Sequence, residues 1–133
     1  MCDPAELKAS HGIVEGAAGS VLTEVVLVAA ATCAVDAFPA LGLRDANGTQ
    51  LVGAGSTGPG RIDLVASVAY TSQVRLANWC APEPAFPVQL FVRIGSDELA
   101  VTGDDPFPDE GDLPPCEGEI GPILESTEWA PTP

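Results

Sequence analysis

The chain of 133 residues carries 19 acidic and five basic side chains, which gives a formal net charge of −14. Its length is that of a single domain, and an apolar share of 46% is enough to fill a hydrophobic core. Nucleic-acid phosphates and anionic membrane surfaces would repel such a polyanion, so neither is expected as a partner. One histidine and four cysteines leave little material for catalysis. We therefore predict a protein that is not an enzyme and holds no cofactor.

Short segments rich in β-branched residues, separated by turn residues, predict β-strands along the chain. The strongest segment, residues 20–29, is apolar enough to predict a central strand buried on both faces. Asn47-Gly48 predicts the turn of a hairpin, because both residues tolerate a positive φ. The predicted strands cover residues 7–10, 20–29, 38–44, 49–52, 61–64, 68–77, 88–94, 99–102 and 123–129.

Glycine-rich and proline-rich segments between these strands predict loops at residues 12–19, 53–60 and 81–87. Short strands at close intervals, without a convincing helix, are typical of an antiparallel β-sandwich or barrel. We predict an all-β fold, an antiparallel Ig-like β-sandwich of about seven to nine short strands. Residues 1–129 would form this single domain, and residues 130–133 a linker or tail.

The four cysteines, Cys2, Cys33, Cys80 and Cys116, are even in number and widely spaced. There is no Cys-x-x-Cys pair and no second histidine to support a zinc site. This pattern predicts disulfide bonds, and with them an extracellular or cell-envelope location. No apolar run reaches 18 residues, so no membrane-spanning segment is predicted. Met1 is expected to stand where a signal sequence was removed, and Cys2 is a candidate lipid-attachment residue of a lipoprotein.

Several short motifs, taken together, resemble a family of secreted actinobacterial domains known as domain of unknown function 4232. In chain order these are Cys2 followed by Leu7, the Gly-Ala-Ala-Gly-Ser run at residues 16–20, Cys33-Ala34-Val35 followed by Phe38-Pro39-Ala40-Leu41, an Asp45-x-x-Gly48 turn, Asn78-Trp79-Cys80, and Cys116. The resemblance covers residues 2–129, and Phe38 stands where the family has tyrosine. It implies a disulfide-containing β-sandwich, secreted or lipoprotein-anchored, and it brings no catalytic residues.

Four cysteines can pair in three ways. We favour Cys2–Cys33 with Cys80–Cys116. In this pairing, Cys2–Cys33 would link the first strand to the end of the central strand. Cys80–Cys116 would link the acidic C-terminal segment to the strand that precedes it.

Acidic residues are concentrated towards the C-terminal end, because residues 97–133 hold eleven acids and no base. The densest part lies among prolines at residues 104–112. Its carboxylates are candidate ligands for Ca²⁺, which prefers six to eight oxygen atoms, although the spacing does not match an EF-hand. The candidates are Asp104, Asp105, Asp109, Glu110 and Asp112.

Two aromatic residues, Phe107 and Trp129, occupy positions where a side chain could contact a partner. We predict an exported, non-catalytic binding or structural module of the cell envelope, whose acidic edge favours a cationic protein or peptide. One alternative is a small carboxylate-based hydrolase, which would require two facing carboxylates in a pocket. Another is an inhibitor domain that presents a rigid proline-rich loop, at residues 81–87 or 104–115.

Overall fold

The computed structural model describes residues 1–53, 58–118 and 121–133, and these contain twelve β-strands and one short 3-10 helix, Pro4–Glu6. The strands are β1 (Leu7–His11), β2 (Glu15–Ala17), β3 (Ser20–Ala29), β4 (Cys33–Asp36), β5 (Ala40–Arg44), β6 (Gln50–Val52), β7 (Arg61–Leu64), β8 (Ala69–Ala77), β9 (Gln89–Ile94), β10 (Asp97–Thr102), β11 (Ile123–Ser126) and β12 (Ala130–Pro131). Part of the predicted glycine-rich loop, residues 54–57, lies outside the described residues.

Ten of these strands form one main sheet in the order β11-β8-β3-β1-β10-β9-β5-β6, with β2 beside β3 and β12 beside β8. Strands β4 and β7 form a separate antiparallel pair. The main sheet is mixed and curls through about 280°, so it is nearly closed and barrel-like. The predicted all-β class is confirmed. The sheet is not purely antiparallel, and it is not clearly the Ig-like sandwich that was predicted.

The difference from a sandwich comes from one strand pairing. Strand β1 runs antiparallel to β3 on one side and parallel to β10 on the other, with Ala9 opposite Val101. This contact joins the β3–β8 part of the sheet to the β5–β9 part, which a sandwich would keep as two separate sheets. The apolar alternation of a strand shows which face it buries, but it does not show which neighbour it pairs with.

The core fills the inside of this curled sheet, and alternation along the strands supplies it. The predicted inward face of residues 88–94 is confirmed, because Val88, Leu90, Val92 and Ile94 are all buried. In β8 the inward face includes Ser72, which is fully buried and donates a hydrogen bond from its hydroxyl to the carbonyl oxygen of Thr127 at 2.7 Å. That bond explains how a polar side chain is accommodated in the core.

Strand β3 is central, as predicted, since it pairs with both β1 and β8. It is not buried on both faces. Val25 and Leu27 point inwards and are fully buried, whereas Val26 and Val28 on the outer face are only half-buried. The long apolar run therefore predicted the central position of this strand correctly, but the prediction that both of its faces are buried was wrong.

The Asn47-Gly48 hairpin is confirmed. It connects β5 to β6, Gly48 has a φ of +82°, and the backbone N–H of Gly48 donates to the carbonyl oxygen of Asp45. The Asp45 carboxylate also accepts bonds from the backbone N–H groups of Asn47 and Thr49, at 2.9 and 3.0 Å.

The sequence predicted that residues 130–133 form a linker or tail. In the structure, residues 130–132 lie along β8. Ala130 is opposite Thr71, and the backbone N–H of Thr132 donates to the carbonyl oxygen of Ala69. Among the described residues, no helix is long and apolar enough to cross a membrane.

Candidate functional site

The most distinctive surface feature is the acidic loop, residues 103–116, which follows β10 and ends at Cys116. Phe107 and Pro108 are both fully buried in the core, and Pro114 is buried as well. The loop thus has an apolar interior side, although it is strongly acidic in sequence. Burying the Phe107 ring fixes the loop on the barrel, because an aromatic side chain removes a large apolar area from water.

The carboxylates of the acidic loop all point to solvent. Among the described residues none of them lies in an ion pair, since the ion pairs found there use Glu98 and Glu125 instead. Asp109 has a local structural role: its carboxylate accepts a bond from the backbone N–H of Glu110 at 2.7 Å, and its carbonyl oxygen accepts one from Asp112. The exposed residues are Asp104, Asp105, Asp109, Glu110 and Asp112.

These carboxylates do not form a ready-made calcium site. In the part of the chain that the structure describes, no three or more His, Cys, Asp or Glu side chains converge into a group that could hold a metal ion. Asp104, Asp105, Asp109 and Asp112, the calcium candidates, are instead spread along an exposed loop. Repulsion between like charges favours such spreading when no cation holds them together.

Phe107 and Trp129, which the sequence offered as candidate contacts for a partner, lie in the core of the structure. Phe107 is 2% exposed and Trp129 is 4% exposed, and both belong to the core. The backbone N–H of Trp129 also donates to the carbonyl oxygen of Ala37. Prolines and acids around Phe107 suggested a solvated segment, but the ring is large enough to be drawn into the core by itself.

A cleft of about 300 Å³ lies beside the acidic loop. Its lining includes Asp104 and Asp105, and also His11 at the end of β1, Gln89 and Thr102. Two of the five carboxylates of the loop thus border a concave surface as well as open solvent.

His11 lines part of this cleft. The acidic loop can pass close to the His11 ring because Gly103 has no side chain. The His11 ring lies 6.5 Å from the Phe107 ring, centroid to centroid, and its Nδ1 donates to the carbonyl oxygen of Gly12 at 2.9 Å. A β-carbon at position 103 would meet the imidazole directly. Sequence reasoning missed Gly103 and Gln89, because an isolated glycine or glutamine carries no signal of its own.

Among the described residues, His11 makes no hydrogen bond to a carboxylate or to a hydroxyl group. Among these residues His11 therefore has neither the hydroxyl nucleophile nor the orienting carboxylate of a nucleophilic triad beside it. The exposed carboxylates beside the cleft give this part of the surface a negative potential.

Three of the five basic residues form ion pairs elsewhere on the barrel, in the part of the chain that the structure describes. Arg44 forms a bidentate pair with Glu98 at 2.8 and 2.7 Å, and Arg93 lies 3.5 Å from the same carboxylate. Arg75 pairs with Glu125 at 3.1 Å. The charge of the acidic loop therefore remains uncompensated by these arginines.

Two disulfide bonds join Cys2 to Cys33 and Cys80 to Cys116, which is the pairing that the sequence favoured. The second bond ties the acidic loop to the residues after β8. Next to it, the side-chain oxygen of the buried Asn78 accepts a bond from the backbone N–H of Glu117 at 2.7 Å. Disulfide bonds persist in oxidising compartments, and these two suggest an extracytoplasmic location.

The proline-rich loop at residues 81–87 packs against the barrel. Pro84 is buried, the Trp79 indole N–H donates to the carbonyl oxygen of Pro82 at 3.2 Å, and the backbone N–H of Ala46 donates to that of Ala85. These contacts attach the loop to the barrel at several points, while residues 81–83 and Pro87 remain exposed.

The chain matches no protein-family model, no curated protein and no solved structure.

Proposed function

We propose that this chain is a non-catalytic binding module of an exported protein, and that its acidic loop binds a cationic protein or peptide. The observation that carries this proposal is the display of five exposed carboxylates, without an ion pair among the described residues, on a loop that Phe107 and Pro108 fix to the core. A loop needed only for solubility would not require such an attachment.

The cleft supports recognition of a lysine or arginine side chain in particular. The positive group would lie between Asp104 and Asp105, and its aliphatic stem would extend into the cleft towards Phe107. A single exposed ion pair contributes roughly 0.2 to 1 kcal/mol. Five such contacts would add up to about 1 to 5 kcal/mol, so the partner must present several positive charges.

Location and kinship belong to the same proposal. The two disulfides support export, to the cell envelope or beyond. The sulfur of Cys2 is bonded to Cys33, so the lipid attachment that the sequence suggested for Cys2 is excluded in this disulfide-bonded form. The order of the four cysteines, with Phe38-Pro39 and Asn78-Trp79 between them, supports kinship with the domain of unknown function 4232 family, and with it an Ig-like relationship of the barrel.

The proposal is tested by isothermal titration calorimetry with a peptide of eight lysines. One variant replaces the five acids of the loop by their amides: Asp104→Asn, Asp105→Asn, Asp109→Asn, Glu110→Gln and Asp112→Asn. The matched control removes five charges from other exposed positions: Glu6→Gln, Glu15→Gln, Glu24→Gln, Glu83→Gln and Glu128→Gln.

Both variants have the same net charge, so they separate local recognition from general attraction to a polyanion. We expect the loop variant to bind at least tenfold more weakly than the control, and the unaltered chain to lose affinity steeply as salt is added. Equal affinities of the two variants would show that the loop is not the binding surface.

A further inference from the structure

The two disulfides differ in their access to solvent. Cys2 is 4% exposed and lies in the core cluster, while its partner Cys33 is half-buried. In the other bond Cys80 is half-buried and Cys116 is exposed. Thiol–disulfide exchange requires the attacking thiolate to reach one of the two sulfur atoms, so access controls its rate. The Cys80–Cys116 bond is therefore the more open of the two to a reductant.

The same bond holds the second half of the acidic loop. The first half is attached through Phe107 and Pro108. In residues 109–118, as the structure describes them, one hydrogen bond reaches the rest of the chain, from the backbone N–H of Glu117 to Asn78. Packing of Leu113 and Pro114 completes the attachment. Opening the disulfide would leave this segment, with three of the five loop acids, weakly held.

We propose that Cys80–Cys116 is a redox-controlled clasp on the acidic loop. A dithiol reductant opens this bond while Cys2–Cys33 persists, and the released loop binds its cationic partner less tightly. This inference rests on the proposed function, since it concerns regulation of the same loop. A flexible loop must be ordered on binding, and that ordering lowers affinity.

The reaction is an ordinary two-electron exchange. A thiolate of the reductant attacks the sulfur of Cys116, the more exposed residue of the pair, and Cys80 leaves as a thiolate that takes up a proton. The second thiol of the reductant then attacks the mixed disulfide and releases Cys116 as a thiol. The protein gains two electrons and two protons, and the reductant becomes a disulfide.

Selective reduction is measured on the full oxidised chain with dithiothreitol, by quenching at intervals with an alkylating reagent and digesting the denatured product with trypsin. The five basic residues place each cysteine on its own peptide: 1–8, 9–44, 76–93 and 94–133. We expect peptides 76–93 and 94–133 to be alkylated at least tenfold faster than the other two. Equal rates, or faster reduction of Cys2–Cys33, would overturn the proposal.

Coupling to binding is measured with the eight-lysine peptide on two samples. One is the chain alkylated only at Cys80 and Cys116, and the other is the Cys80→Ser/Cys116→Ser variant, each with Cys2–Cys33 intact and with the circular dichroism of a folded β protein. We expect both to bind about three- to tenfold more weakly than the oxidised chain. Selective reduction with unchanged affinity would refute the clasp and leave the proposed function standing. Absence of binding by the oxidised chain itself would refute both.

Discussion

Replacing Phe107 by alanine should lower the free energy of unfolding by about 3 to 5 kcal/mol. The ring is 2% exposed, and a phenylalanine buries roughly 150 to 250 Å². At about 25 cal/mol per Å² this area corresponds to about 4 to 6 kcal/mol, of which the alanine retains a small part. The loss is a large share of the roughly 5 to 15 kcal/mol that stabilises a domain.

The assay is urea unfolding followed by tryptophan fluorescence, because Trp79 and Trp129 are both buried and report the loss of the core. Phe107→Leu keeps most of the apolar volume and should cost less than about 1.5 kcal/mol. Ile13→Ala, at a position 75% exposed, should change stability by less than about 0.5 kcal/mol. A loss below about 1 kcal/mol for Phe107→Ala would mean that the ring is not in the core, and the loop would then lack its attachment.

Three further outcomes are expected. Removing either disulfide by double serine substitution should lower the free energy of unfolding by about 3.7 kcal/mol for Cys2–Cys33 and about 3.8 kcal/mol for Cys80–Cys116, from sequence separations of 31 and 36 residues. Urea midpoints that do not move would contradict this. Gly121→Ala should cost about 1 to 3 kcal/mol, because its β-carbon would meet the carbonyl oxygen of Asn78, whereas Gly111→Ala in open space should be nearly neutral in the same assay. All five basic residues lie in strands, so the native chain should resist trypsin, while a glutamate-specific protease should cut first at Glu110 or Glu117; rapid tryptic cleavage would show that the strands open readily.

Local patterns in the sequence were sufficient to predict most of the longer strands. β3, β8 and β9 were predicted within a residue or so, because each has enough alternating or β-branched residues to specify a strand by itself. The short strands β2, β4 and β12 were missed. These three segments become strands only because a neighbouring strand offers them hydrogen bonds, and that information lies elsewhere in the chain.

Local patterns could not predict the barrel-like closure of the sheet or the burial of Phe107 in the acidic loop. Both depend on contacts between residues that are distant in sequence. The parallel contact of β1 with β10 joins residues more than 90 positions apart, such as Ser10 and Thr102. Phe107 is surrounded in sequence by prolines and acids, which predict solvent exposure, yet the core takes in its ring. The acidic residues themselves were predictable as an exposed group, but the cleft beside them depends on His11 and Gln89, which are distant in sequence.

The central claim is that the acidic loop is the surface that meets a cationic partner, and a backbone amide NMR titration with the eight-lysine peptide tests it most directly. The account predicts that the largest chemical-shift changes fall on residues 103–118 and on the cleft residues His11, Gln89 and Thr102. Changes concentrated on another face of the barrel, or of similar size at acids throughout the chain, would contradict it.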